Sequence, residues 1–321
     1  MGALVAYVAL VMVGRWLVLG EIASQFLFYF GIGALGAAAL FLVARQARMA
    51  AVALAMALWG CWPEASLYLG STAAGPDAPA ISPHVHVVSA NVLRPNTRYE
   101  EVLDAVLQTD PDVIGLLELS PAWRDAAIKR LGERYPYHAT AANTRGWNKF
   151  TWGLMLFSKI EIASAKELRL DFDEWELRPV LEVKLKAPFD LTISLAHPER
   201  PGRPARMRAR RTALERLAAS GVDGHWLVTG DLNTTSTSPL FRDILNETGL
   251  RDSRAGFGRQ PTWEFGERLP GPLPLPLPKW ARLSVAIDHA LCSPGLEVHD
   301  RRTFSIPGSD HRGVSVTLAP K

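Results

Sequence analysis

Cysteine is nearly absent: Cys61 and Cys292 are the only two in 321 residues. One falls in an apolar stretch and the other in a late strand segment. That excludes a disulfide framework, and the count leaves the redox compartment open. Charge is almost missing from the first seventy residues, which are mostly Ala, Val, Leu, Phe and Gly. Basic residues are missing from Met1-Gly2-Ala3-Leu4, which argues against a secretory signal, whose start is usually basic. Internal repeats are missing too, so the chain is not a repeat array. A strong net charge is lacking: the formal value is +3, too mild to announce a nucleic-acid binder.

Three apolar stretches are present, roughly Ala3 to Leu19, Ala23 to Val43 and Met49 to Leu69. Each approaches the ~20 residues that cross a bilayer as a helix. Arg15 interrupts the first, and Pro63 and Glu64 interrupt the third. The competing reading is a signal peptide followed by buried helices, but a signal is not normally trailed by two more long apolar runs. The loop Ala44-Arg45-Gln46-Ala47-Arg48 carries two arginines, whereas the loop before it carries Glu21. The positive loop belongs on the cytoplasmic side. Residues 1–69 are therefore expected to form a membrane domain of about three transmembrane helices in the cell (inner) membrane. Everything after Leu69 is then expected to be extracytoplasmic.

Gly70 to Pro79 is rich in Gly, Pro, Ser and Ala and reads as a linker over 70–83, with a second domain over 84–321. Strands are expected over Val85–Val92, Asp112–Leu119, Gly153–Ser158, Val180–Leu185, Leu191–His197, His225–Gly230, Ser284–Cys292 and Gly313–Leu318. Helices are expected over Tyr99–Leu107, after Pro121, over Arg206–Ala219 and over Pro239–Asn246. Strands outnumber helices without strict alternation, which points to two packed mixed sheets with helices outside. The run Leu269 to Pro278 alternates Pro with Leu and reads as an extended loop, either a stiff surface feature or an apolar one touching a bilayer or lipid.

Polar residues recur where apolar runs end. Glu118 closes Val113 to Leu117, a costly place for a carboxylate unless it meets a cation, either a metal ion or an arginine. Asp231 and Asn233 are two apart and share a face on an extended segment. Gly230 would let the backbone approach a ligand. Asp231 could accept a proton from water and Asn233 could donate to a phosphoryl oxygen. Alternatively the pair forms an Asx turn leading into a cap, because Thr234-Thr235-Ser236 follows. Asp288 could pair with His311, and a carboxylate behind an imidazole fixes its tautomer and raises its basicity. His197 could donate to a phosphate oxygen or a leaving group. His84, His86, His138, His225 and His299 read as structural.

The ordered set Asn91, Glu118, the Gly153–Ser158 strand, Arg178, His197, Asp231-x-Asn233, Asp288 and Ser309-Asp310-His311 resembles the endonuclease/exonuclease/phosphatase (DNase I-like) superfamily across almost the whole second domain. The resemblance implies an α/β fold, a four-layer sandwich of two packed mixed sheets flanked by helices. It also implies metal-dependent phosphoester hydrolysis. By the same resemblance Glu118, Asn91 and Asp310 would hold Mg²⁺, with Mn²⁺ as the substitute. His311 oriented by Asp288 would be the base or the phosphate-binding imidazole, Asp231 would position water, and Asn233 and His197 would stabilise the transition state. Which of Asp231 and His311 is the base stays open. The N-terminal segment is similar to that of a bacterial membrane-anchored subgroup, which implies a lipid-linked phosphate or pyrophosphate.

The arginines 200, 203, 206, 208, 210 and 211 follow His197 directly. They read either as a solvated face or as a trap for an anionic head group, a nucleic-acid backbone or anionic lipid. Arg178, Arg206 and Arg210 are the expected substrate-binding residues. Trp147, Trp152, Trp175, Trp263 and Trp280 would line a cleft or rest at a membrane interface, several of them in the core. The expected activity is a membrane-anchored phosphoesterase with a lipid-linked substrate. The alternatives are an extracytoplasmic nuclease acting on DNA or RNA and an inactive anchored binding module. The expected partners are the lipid bilayer and the phosphorylated substrate, with no obligate protein partner.

Overall fold

A computed structural model describes residues 1–14, 16–70, 83–142, 153–168, 178–265 and 282–321. Arg15, nearly all of the linker, the Leu-Pro run and Trp147, Trp152, Trp175 and Trp280 lie outside the described residues.

Apolar, β-branched runs become the central strands. The first sheet contains β1 (Val85–Asn91), β2 (Val113–Leu119), β3 (Tyr137–Ala142), β4 (Gly153–Ser158), β13 (Leu296–Ser305) and β14 (Arg312–Pro320), in the order β13-β14-β1-β2-β4-β3. The second contains β5 (Ile162–Leu168), β6 (Val180–Leu185), β7 (Leu191–Leu195), β8 (His225–Asp231), β9 (Arg251–Asp252) and β12 (Asp288–Cys292), in the order β5-β6-β7-β8-β12-β9. A separate two-stranded ribbon pairs β10 (Trp263–Phe265) with β11 (Leu283–Val285). The β1–β2 and β7–β8 pairs are parallel, whereas the other pairs are antiparallel.

The sheets bury one shared core, with Val85, Val87 and Leu156 from the first meeting Leu181, Ile193 and Leu227 from the second. Helices α5 (Tyr99–Leu107) and α6 (Pro121–Leu131) cover the outer face of the first sheet through Val102, Leu103, Trp123 and Leu131. Helices α7 (Pro204–Ala219) and α8 (Pro239–Thr248) cover the second through Leu214, Leu217, Phe241 and Ile244. This is the expected four-layer α/β sandwich. It is sharply pinned where β1 and β8 cross: Ser89 and Thr229 share a hydroxyl–hydroxyl bond of 2.9 Å between the sheets.

The N-terminal helices do not divide as the apolar stretches do. They are α1 (Gly2–Met12), α2 (Val18–Gln25), α3 (Leu27–Val43) and α4 (Ala47–Ala65). The first stretch breaks at Gly14, where a Cβ would lie 2.9 Å from the Gly20 backbone, so the chain turns back on itself at van der Waals contact. Among the described residues one helix, Ala47–Tyr68, is long and apolar enough to cross a membrane. The α2–α3 pair, bent by 69°, makes a second if taken as one broken span, and α1 is shorter. Next to the bend, Glu21 and Ser24 on α2 are buried, and their partners are Arg210 and Thr237.

Candidate active site

β1, β2 and β8 end at the same edge of the sandwich. Asn91 closes β1 and is fully buried. Its Nδ2 donates to Glu118 Oε1 at 3.2 Å and to Asp231 Oδ2 at 3.1 Å, so one amide links residues from both sheets. Glu118 sits where the β2–β4 register slips between Leu117 and Leu119, with φ of 65°. The bulge aims its carboxylate out of the strand and at the site, where Oε2 also accepts from the Arg94 N–H at 3.1 Å.

Asp231 ends β8 and is the register partner of Asp288 at the start of β12. His311, immediately before β14, closes the group: its Nδ1 lies 2.9 Å from Asp288 Oδ2, and its Nε2 lies 3.8 Å from both Asp231 Oδ2 and Asp310 Oδ1. Thr262 anchors the approach to Asp288, its hydroxyl accepting the Ile287 and Asp288 N–H groups at 3.1 and 3.0 Å. Ser309 fixes the loop before His311 by donating to the Asn91 carbonyl at 2.8 Å and accepting the His311 N–H at 3.1 Å. Asp310 is about half exposed and accepts the Trp263 indole N–H at 3.0 Å.

His197 is buried, with Nε2 3.4 Å from Asp231 Oδ2 and 3.7 Å from Glu118 Oε1. Arg178 is beside it, 2.5 Å from Nε2, and also meets Glu199 at 3.3 Å. Arg206 reaches the same Glu199 at 3.9 Å. All eight residues expected to be catalytic or metal-holding, together with Arg178, thus join one connected network, with Arg206 at its margin.

Arg210 is a correction. It has no exposure, and it binds Glu21 and the Asn233 carbonyl, the latter at 2.6 Å, instead of facing substrate. Two other expectations are refined. Gly230 approaches protein backbone, since a Cβ there would lie 2.2 Å from the Ala196 carbonyl. Asp231 and Asn233 do form an Asx turn, with the Asn233 N–H donating to Asp231 Oδ1 at 2.9 Å, while Asn233 Nδ2 donates to the Pro198 carbonyl at 3.0 Å. Turn and site are therefore the same structure. Sequence reading missed Thr262, Glu199 and Glu21, none of which stands in a motif.

Asp231 and His311 are shifted in opposite directions. Burial acts to raise the Asp231 carboxyl, but the hydrogen bond from His197 and the charges of His311 and His197 overcome it and hold it well below the usual carboxylate range. Burial acts to lower the His311 imidazole, but the Asp288 and Asp231 carboxylates outweigh it and push it up to about 10. By contrast His289, buried against Phe241 and bonded to the Thr234 carbonyl, is lowered to about 4, chiefly by burial and then by Arg254. That neutral imidazole is suited to structure.

Asp231, Asp288 and His311 each offer a ligand atom, all within 4.8 Å of one another, and could hold a metal ion. Glu118, Asn91 and Asp310 add further oxygen donors. Carboxylate and amide oxygens of this kind suit a hard divalent cation.

A two-sheet α/β sandwich with carboxylates, amides and imidazoles gathered at one sheet edge defines a class of phosphoester hydrolases. The endonuclease/exonuclease/phosphatase family model matches residues 88–311, and the chain belongs to that family. It is a hydrolase of phosphoester bonds. Among solved structures it is similar to an endonuclease/exonuclease/phosphatase from Beutenbergia cavernae, with 19% identity over 74% of this chain and 72% of that one and a TM-score of 0.56. It is similar to D. rerio TDP2 in complex with a single-strand DNA product, with 15% identity over 74% and 99% and a TM-score of 0.56. It is also similar to a Staphylococcus aureus beta toxin, with 16% identity over 74% and 100% and a TM-score of 0.50. No curated protein matches the sequence.

Proposed function

We propose that this protein is a membrane-anchored, divalent-metal-dependent phosphoesterase acting on a lipid-linked phosphate or pyrophosphate. The observation that carries the hydrolytic half is the Asn91 amide shared between Glu118 and Asp231, which gathers the acidic donors of two sheets around one point. Glu118, Asn91 and Asp310 are assigned to hold Mg²⁺, or Mn²⁺ in its place. The ion when bound supplies Lewis-acid neutralisation of charge on the phosphoryl group.

The residues divide the remaining work. Asp231, held ionised, accepts a hydrogen bond from the attacking water and orients it toward phosphorus. His311, held protonated by Asp288 and Asp231, donates to a phosphoryl oxygen as charge develops there. His197 accepts from the Arg178 guanidinium through Nε2, and the pair lines the facing side of the site. Asn233 keeps Asp231 in register through its own N–H.

The membrane half rests on the apolar α3–α4 hairpin. Its far end carries Arg45 and Arg48 at the loop, while its near end meets the second domain through Tyr29 and Glu64. Seating that hairpin in the inner membrane puts the positive loop in the cytoplasm and the active site outside. A cavity of about 530 Å³ lies between α2 and α7. It has Trp16, Leu17 and Val18 on one side and Met207, Arg208 and Arg211 on the other, an apolar wall facing cations.

Nucleic acid is the second reading, favoured by the likeness to a TDP2 crystallised with a DNA product. Within the arginine run, Arg210 is buried and Arg206 faces Glu199, which withdraws those two from a nucleic-acid backbone. The test is Mg²⁺-dependent phosphate release by detergent-solubilised full-length protein, offered polyprenyl pyrophosphate and plasmid DNA side by side, with His311→Ala as control. Lipid-phosphate release without nicking supports the proposal. Nicking without phosphate release replaces it with an anchored nuclease.

A further inference from the structure

The N-terminal helices do more to the second domain than tether it. After the Asx turn at Asp231-Leu232-Asn233 the chain runs through Ser236, Thr237 and Ser238 into α8. Each of these three hydroxyls donates to an acceptor on the N-terminal helices: Ser236 to Glu64 at 2.7 Å, Thr237 to the Ser24 carbonyl, and Ser238 to both Glu21 oxygens at 2.8 and 3.0 Å. Glu21 also takes the Arg210 guanidinium, whose other terminal nitrogen donates to the Asn233 carbonyl. Glu21, Ser238 and Arg210 are all essentially without solvent exposure.

We infer that Glu21 is a positioning residue for phosphoester hydrolysis, acting from the membrane segment through Arg210 on the loop that carries Asp231 and Asn233. The physical argument has two parts. A guanidinium is a planar fork that can serve two acceptors at once, and here it joins a carboxylate on α2 to a carbonyl in the site. Asn233 has φ of 51°, a conformation that costs energy unless its surroundings hold it. The Arg210 bond to its carbonyl and the Pro198 bond to its side chain supply that hold. Glu21 in turn keeps the guanidinium charged and oriented inside a dry interface. The inference rests on the hydrolase reading of the site and adds that the helical segment forms part of the active-site scaffold.

The test uses full-length protein in detergent with Mg²⁺. Arg210→Lys keeps the charge opposite Glu21 but has a single ammonium in place of the fork. The double variant Glu21→Leu with Arg210→Met removes both charges and fills the space with apolar groups, a replacement that buried pairs often tolerate. Both variants are expected to melt cooperatively and to keep the wild-type KM. Their kcat should fall by about ten- to a hundredfold, as for a catalytic group displaced by about an ångström. Hydrogen exchange at the Leu232, Asn233 and Thr234 amides is expected to speed up in both. Wild-type kcat and wild-type exchange in either folded variant would overturn the inference. If wild-type protein hydrolyses no phosphoester, the hydrolase reading fails. Exchange at those three amides then decides whether the helical segment holds the loop.

Discussion

His311 sits between two carboxylates, which favour its imidazolium over the neutral ring in the folded protein. Its folded value near 10 lies above the ~6.5 of an unfolded histidine. The contribution is therefore fully present below about pH 6.5 and is lost as pH rises through about 10. In chelator-treated protein the melting-temperature advantage of wild type over His311→Gln should shrink steadily across that window. Parallel curves for the two proteins would remove the stabilising charge. At this scale most of the candidate site was legible. Asn91, Glu118, His197, Asp231 and Asp288 stand where apolar runs end or begin, and strands that share a sheet edge bring such positions together. Arg210 was not legible. Its place in a run of arginines suggests solvent or ligand, and its burial depends on a glutamate 189 residues earlier in the chain.

At the scale of elements, β8 depends on one glycine. Gly230 has φ of 128°, and any Cβ would run into the Ala196 carbonyl of the neighbouring chain segment. Gly230→Ala should destabilise the protein by at least about 1–3 kcal/mol from backbone strain alone. It should also move Asp231, the next residue, so activity should fall further than stability does. A urea melt together with kcat on the same preparation checks both. Central strands buried on both faces read clearly from sequence, because their apolar runs are continuous. The edge strands β3, β5 and β13 did not. β5 is largely exposed and β13 mixes charged with apolar residues, so they resemble loops until a neighbour supplies their hydrogen bonds. The segment Ser284–Cys292 reads as one strand but divides, because Ile287 and Asp288 turn their N–H groups to Thr262 between β11 and β12.

At the scale of the molecule, the two halves of the chain share buried charges. Arg210 meets Glu21, and Arg254 meets Glu64 as well as Asp252. A protein of residues 84–321 leaves Arg210 without its carboxylate, and loss of one partner of a buried pair costs about 3–5 kcal/mol. The shortened protein should therefore melt well below the full chain in the same detergent. Equal melting temperatures would show the two halves to be independent. Composition and order of residues determined much by themselves: an apolar N-terminal segment, a mixed two-sheet sandwich, and the family to which the ordered polar motifs belong. These are local properties, set by hydrophobic periodicity and by which residue types end each run. Only the tertiary structure decided that Glu118 reaches the site through a bulge, that Arg210 faces inward, and that the helices of the first segment contact the loop after Asp231. Each depends on a contact between residues far apart in the chain, and sequence periodicity reports only a residue's near neighbours.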